Sequence, residues 1–84
     1  MPTFPTVHMN GTSRSDLMKQ QMDVLNALDK ALEAMRLAAP HGRDYYPQGE
    51  DAIRHASSQF AAHYSQLSVM RDHYQQVAEH LAGY

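Results

Sequence analysis

The fold is decided by one stretch of the chain, Pro40-His41-Gly42-Arg43-Asp44-Tyr45-Tyr46-Pro47-Gln48-Gly49. Long helical patterns run into it from both sides. A residue that precedes proline is pushed out of the α region, and glycine suits the backbone that follows a helix. The sequence therefore predicts that the chain turns back here. We call residues 40–48 the joint.

The pattern before the joint predicts a first helix over residues 13–39. Ser13 suits the N-cap position, and Asp16 three residues later resembles a capping box with aspartate in place of glutamate. Apolar residues follow heptad spacing, with Gln21 as the polar exception. A second apolar stripe runs beside this face. The first stripe comprises Met18, Leu25, Leu28, Leu32 and Met35, and the second comprises Leu17, Val24, Ala31 and Ala38.

The pattern after the joint predicts a second helix over residues 49–82. Glu50 and Asp51 fall in its first turn, where carboxylates favour the positive end of the helix dipole. Gly83 is a natural stop for this helix. A seam of about four heptads follows 3-4 spacing along it. The predicted seam comprises Ile53, Ala56, Phe60, His63, Leu67, Met70, Tyr74, Val77 and Leu81.

These patterns predict one all-α domain over residues 1–84, an antiparallel two-helix hairpin with an extended arm at residues 1–11. Prolines at positions 2 and 5 keep the arm extended. The arm is either a frayed tail or a segment that packs Phe4, Val7 and Met9 onto the bundle or onto a neighbouring subunit. Two helices alone cannot cover both stripes of the first helix, so we expect a homo-oligomeric helical bundle.

Composition excludes several function classes. The net charge of −2 and pI near 6.3 lack the basic footprint of a protein that binds duplex nucleic acid. No apolar run approaches the ~20 residues that span a bilayer, and the N-terminus lacks the features of a signal peptide. We therefore expect no membrane partner and a cytoplasmic location.

Catalytic and metal-binding patterns are also missing. The best helical ligand pair is Asp51 with His55, and two ligands do not make a metal site. The chain has no cysteine, no recognisable serine nucleophile and no Gly-rich phosphate loop. The sequence predicts no metal, no cofactor and no enzymatic activity.

The joint concentrates the side chains that could recognise a ligand. Tyr45 and Tyr46 could stack on a base, at about 1–3 kcal/mol per stack. Arg43 and Arg54 could hold phosphate oxygens through two parallel hydrogen bonds. The alternative is a structural plug, in which both tyrosines cover the end of the bundle.

A second candidate group lies where the first helix begins. Thr12, Ser13 and Arg14 offer two hydroxyls and a guanidinium at a helix N-terminus, which favours anions. A hairpin places this group at the end opposite the joint, whereas an antiparallel dimer could bring the two together. The predicted ligand is a small phosphate-bearing molecule such as a cyclic nucleotide, held at a subunit interface.

Two segments carry a resemblance, Asn10-Gly11-Thr12-Ser13 and Arg43-Asp44-Tyr45-Tyr46-Pro47-Gln48-Gly49. With them the chain resembles small helical proteins encoded by tailed bacteriophages and prophages. Some phage helical hairpins are oligomeric sponges that sequester cyclic-nucleotide signals of bacterial immunity, and the chain is similar to those in size, helix content and expected oligomerisation. The resemblance implies an immune-evasion role in the host cytoplasm. The alternative is a phage structural or assembly protein, or an inhibitor that binds a host protein through its helical surface.

Overall fold

The computed structural model describes residues 2–83, which contain two long helices and no strand. Helix α1 spans Arg14–Leu37 and helix α2 spans Glu50–Ala82. Short 3-10 helices at Gly42–Asp44 and Tyr46–Gln48 connect them. The start of α1 contacts the end of α2, so the two helices run antiparallel. The prediction of an all-α hairpin is thus confirmed.

Local chemistry explains both ends of α1. The Ser13 hydroxyl accepts a hydrogen bond from the Asp16 backbone N–H at 3.2 Å, so Ser13 caps the helix as predicted. The helix ends at Leu37, two residues before the predicted boundary. The Ala38 N–H reaches the Met35 carbonyl at 3.0 Å, and this tighter bonding closes the last turn before Pro40.

The joint is built from hydrogen-bonded turns. The His41 carbonyl accepts from the Asp44 N–H at 3.0 Å, and the Tyr45 carbonyl accepts from the Gln48 N–H at 2.9 Å. Gly49 then opens α2 with a φ of 105°, which is the only positive φ among the described residues. A side chain would strain the backbone there, so glycine is required at this position.

The best-buried residues lie in the half of the hairpin remote from the joint. Leu81 is completely buried, and Leu25, Val77 and Ala78 are 4–6 % exposed. Toward the joint the interface is only half-buried on both helices. The core is therefore formed where the beginning of α1 meets the end of α2.

The predicted seam of α2 is wrong at two positions. His63 and Met70 are exposed, and Met70 shows 49 % of its surface. Their neighbours Tyr64 and Arg71 are half-buried instead, and the Arg71 Nε donates to Asp29 Oδ1 at 2.6 Å across the hairpin. Both pairs, His63 with Met70 and Tyr64 with Arg71, fit the heptad spacing of α2. Spacing alone therefore does not predict which pair faces α1. The long aliphatic stem of arginine can cover apolar surface while its guanidinium pairs, which makes position 71 suitable for the interface.

The N-terminal arm packs on α2. Phe4 stacks on His80 with ring centroids 4.6 Å apart and an interplanar angle of 10°. Val7 is half-buried, whereas Met9 is 95 % exposed. A turn with a 3.1 Å hydrogen bond from the Gly11 N–H to the His8 carbonyl then leads into α1. The packed alternative is confirmed for Phe4 and Val7 and is wrong for Met9.

The molecule is a rod of 61 × 23 × 17 Å. Its radius of gyration is 18.3 Å, whereas a compact domain of this length has about 12 Å. Its accessible surface is 6237 Å², compared with about 5,000 Å² for a folded monomer of this mass. A single hairpin therefore leaves much more surface in water than a globular domain does.

Candidate ligand site at the joint

The joint presents two unengaged side chains to solvent. Tyr46 is 76 % exposed. The exposed guanidinium of Arg43 has no hydrogen-bond or ion-pair partner within residues 2–83. Tyr45, which lies between them in the sequence, is half-buried. The three residues singled out in the joint therefore differ: two are free to meet a ligand and one is partly held by the fold.

The joint and the first turns of α2 enclose a groove of about 400 Å³, which we call the joint groove. One phenol, two amides, one carboxylate and one imidazole line it above a base of two alanines. This mixture offers both donors and acceptors beside small apolar surface. The lining residues are Tyr45, Gln48, Asp51, Ala52, His55, Ala56 and Gln59.

Of the seven lining residues, sequence reasoning singled out only Tyr45 as part of a ligand site. The polar residues that it missed are Gln48, Asp51, His55 and Gln59. Spacing gave a partial signal, because Asp51, His55 and Gln59 are each four residues apart on one face of α2. The spacing along α2 does not show where Tyr45 lies, and Tyr45 lines the groove from the side of the joint.

Arg54, predicted to hold phosphate, is engaged by a neighbouring side chain. Its guanidinium forms an exposed ion pair with Asp51 one turn earlier in α2. Arg54 does not line the joint groove, but its pairing with Asp51 balances the one carboxylate that does. The groove is therefore less repulsive to an anion than its lining alone indicates.

Hydrogen bonds within the joint hold its conformation. The His41 Nδ1 accepts from the Arg43 backbone N–H at 3.2 Å and so caps the first 3-10 helix. The Gly42 carbonyl accepts from the Tyr45 N–H at 3.0 Å. The backbone on both sides of Arg43 is thus fixed, while its side chain stays in water.

The second predicted group lies at the opposite end of the molecule, and most of it is engaged. The Arg14 Nε donates to the Leu81 carbonyl at 2.8 Å, and Nη2 donates to the Ala82 carbonyl at 3.4 Å. The Ser13 hydroxyl caps α1. Thr12 is exposed, and its side chain has no hydrogen-bond partner within residues 2–83. Because α1 is 24 residues long, about 36 Å separates this group from the joint, and one chain does not bring them together.

A second groove lies at that far end, between the arm and α2. Its volume is about 750 Å³, and we call it the arm groove. It is lined by Pro2, Thr3, Val69, Asp72, His73 and Gln76.

No family model, curated protein or solved structure matches the chain. Within residues 2–83, no three His, Asp or Glu side chains are grouped so that they could hold a metal ion. Neither helix in that range has an apolar stretch sufficient to cross a membrane.

Proposed function

We propose that the chain is a self-associating, non-enzymatic binding protein that holds a small phosphate-bearing ligand of the cyclic-nucleotide class at the joint. One observation carries the proposal: the exposed side chains of Arg43 and Tyr46 have no hydrogen-bond or ion-pair partner within residues 2–83, and Tyr45, beside Tyr46 in the chain, lines the joint groove. A free cation and a free aromatic ring are the groups that phosphate and base recognition require.

Arg43 and Tyr46 lie in the joint outside the lining of the groove, and together the joint and the groove offer groups for the two parts of such a ligand. Tyr46 offers a ring on which a base can stack, and Arg43 offers a planar pair of donors for a phosphate. The amides of Gln48 and Gln59 can each donate to and accept from the edge of a base. A volume of about 400 Å³ lies within the range of about 300–1,000 Å³ that is usual for small-molecule sites.

A protein that binds a ligand without converting it sequesters that ligand. A protein that holds a cyclic-nucleotide signal lowers its free concentration, and a phage-encoded one would thereby blunt an immune response in the host cytoplasm. Self-association is part of the proposal because the rod leaves about 1,200 Å² more surface in water than a globular monomer of its mass.

A thermal-shift screen against cyclic di- and trinucleotides tests the proposal. A ligand present at a hundred times its Kd stabilises the folded protein by about 2.7 kcal/mol. We expect Arg43→Ala, Tyr45→Ala and Tyr46→Ala to abolish this shift. Lys30→Ala, which removes an exposed cation on α1, is the matched control and should retain it.

A structural plug predicts the opposite result. If the tyrosine variants melt at lower temperature and still bind the ligand, the joint supports the fold and the assignment is wrong. Tyr46, at 76 % exposure, should show this difference most clearly, because an exposed ring contributes little to stability.

A second candidate function is binding of a host or phage protein through the helices. It is favoured by large apolar side chains that remain exposed on α1 and α2, including Leu37 at 73 % and Val69 at 65 %. It predicts no thermal shift with any cyclic nucleotide. It also predicts that Leu37→Ala or Val69→Ala weakens the protein complex while Arg43→Ala leaves it intact.

A further inference from the structure

A second heptad stripe runs along the outer side of α2, away from α1. Its positions alternate steps of four and three residues, so they share one face of the helix. None of them is Asp, Glu, Lys or Arg. The six charged residues of α2 lie only at positions 50–54 and 71–79, so the stretch between them is uncharged on every face. The stripe comprises His55, Gln59, Ala62, Gln66, Val69, His73, Gln76 and His80, and the charged residues of α2 are Glu50, Asp51, Arg54, Arg71, Asp72 and Glu79.

The absence of charge over about four heptads is unusual for a face in water, because the solvent side of an amphipathic helix normally carries charged residues. Depletion of charge is instead a mark of the central part of an interface. The arm already covers the far end of the stripe, where Phe4 stacks on His80. From His55 to Val69 every stripe residue is exposed.

We propose that this open stretch, residues 55–69 of the stripe, packs antiparallel against the same stretch of a second copy, with Ala62 at the two-fold axis. The inference rests on the proposed function, and it identifies a second copy of the chain as the partner that completes the ligand site. A two-fold contact is reciprocal: when one residue meets a second residue of the partner, that second residue meets the partner's copy of the first. Gln59 then faces the partner's Gln66, and amides can satisfy each other because each both donates and accepts. Alanine at the axis lets the helices approach closely.

The position of the two grooves supports a second copy rather than an unrelated protein. The joint groove contacts α2 at residues 51–59 and the arm groove contacts it at residues 69–76, one on each side of Ala62. Antiparallel packing about Ala62 places the joint groove of one copy against the arm groove of the other. Each ligand cavity then includes Tyr45 and His55 of one copy together with the partner's Thr3 and the partner's His73.

The accessible surface of the hairpin is also large enough for a stable dimer interface. A stable interface buries about 800 Å² on each partner. The hairpin, with 6237 Å² accessible, exceeds the globular expectation by about 1,200 Å². A dimer interface that buries about 800 Å² on each copy therefore removes less surface from water than this excess.

Cysteine trapping tests the geometry, because the natural chain contains no cysteine. Under mild oxidation we expect Ala62→Cys to form a covalent dimer, since it lies on the axis. Gln59→Cys and Gln66→Cys should not cross-link alone but should do so when mixed. A disulfide needs Cα atoms within about 7 Å, so a parallel dimer would instead cross-link each single variant with itself, and this result would overturn the proposal.

Charge insertion tests the surface and its link to the ligand. We expect Val69→Glu to convert the dimer to monomer by sedimentation and to weaken binding of the cyclic nucleotide found in the screen at least tenfold. Met22→Glu, at a comparably exposed position on α1, is the control and should change neither. Tyr46→Ala should lose binding and keep the dimer.

The failures are distinguishable. A wild-type chain that sediments as a monomer at micromolar concentration overturns the self-association. An oligomer that survives Val69→Glu and does not cross-link through Ala62→Cys overturns only the stripe and leaves the joint site standing. A Val69→Glu monomer with unchanged affinity overturns the shared cavity.

Discussion

The side chain of Arg14 links the start of α1 to the end of α2. Its guanidinium donates to the carbonyls of Leu81 and Ala82, which lie in the last turn of α2 and have no partner further along a helix. The same contact places a positive charge at the negative end of the helix dipole. An arginine predicted as a phosphate ligand thus serves as a helix cap.

We predict that Arg14→Ala lowers the free energy of unfolding by about 1.5 kcal/mol, the lower end of the range for hydrogen bonds to a charged group. The measurement is urea unfolding followed by circular dichroism. Arg43→Ala, which removes an exposed arginine whose side chain has no partner within residues 2–83, is the control and should leave the midpoint unchanged. Equal midpoints for both variants would show that the contact contributes nothing.

Gln21 is the polar exception in the heptad face of α1. Its Oε1 is buried and has no hydrogen-bond partner within residues 2–83. A buried acceptor without a partner costs about 1–3 kcal/mol. Replacement by an apolar side chain of similar size removes that cost.

We predict that Gln21→Leu raises the free energy of unfolding by about 1–3 kcal/mol. Gln20→Leu, at the exposed neighbouring position, is the matched control and should stay within about 0.5 kcal/mol of wild type. Thermal melting of the three proteins measures the difference. A destabilised Gln21→Leu protein would show that the oxygen has a partner in solution.

The interface between α1 and α2 is uneven along its length. It is tightest around Leu81, which is completely buried, and looser around Leu67, which is half-buried. We predict that Leu81→Ala costs about 2–5 kcal/mol, the range for a buried leucine, and that Leu67→Ala costs clearly less. Parallel urea titrations compare them. Equal costs would show that the middle of the hairpin is packed as well as its end.

Local rules account for the parts of these elements that were predicted correctly. The Ser13 cap depends on a few adjacent residues, so the sequence predicts it. The stop before Pro40 is also local, although the helix ends two residues earlier than predicted. The choice of Tyr64 over His63 depends instead on the opposing helix, which spacing does not describe. The same limit applies to the site: Arg43, Tyr45 and Tyr46 are recognisable by residue type. The residues His55 and Gln59 line the joint groove, and so join the candidate site, only once the joint folds against α2.

The arm adds a third layer to the end of the molecule where the helices pack best. Phe4 is 37 % exposed, so the rest of its surface is covered, in part by the stacked ring of His80. Val7 adds a second half-buried side chain. The arm therefore belongs to the folded structure.

We predict that Phe4→Ala lowers the stability of the whole protein by about 1–2 kcal/mol, from lost apolar burial and lost ring stacking. Met9→Ala, which changes a 95 % exposed residue of the same segment, should have no effect. Differential scanning calorimetry of both variants decides the matter. If the Phe4→Ala and Met9→Ala variants have the same melting temperature, packing of the arm does not contribute to the stability of the core.

The placement of the core at one end has a consequence for how the chain acquires its structure. Arg14 and Leu81 are separated by 67 positions, so the contacts that stabilise the hairpin most arise only after a long loop has closed. The joint can form early because its turns are local, but it gains little from burial. We expect the rate-limiting barrier to come late, with native-state hydrogen exchange slowest near residues 17–25 and 74–81 and fastest toward the joint. The joint groove would then lie in the part of the molecule that opens most often. If the proposed ligand binds there, it should slow hydrogen exchange most in this region.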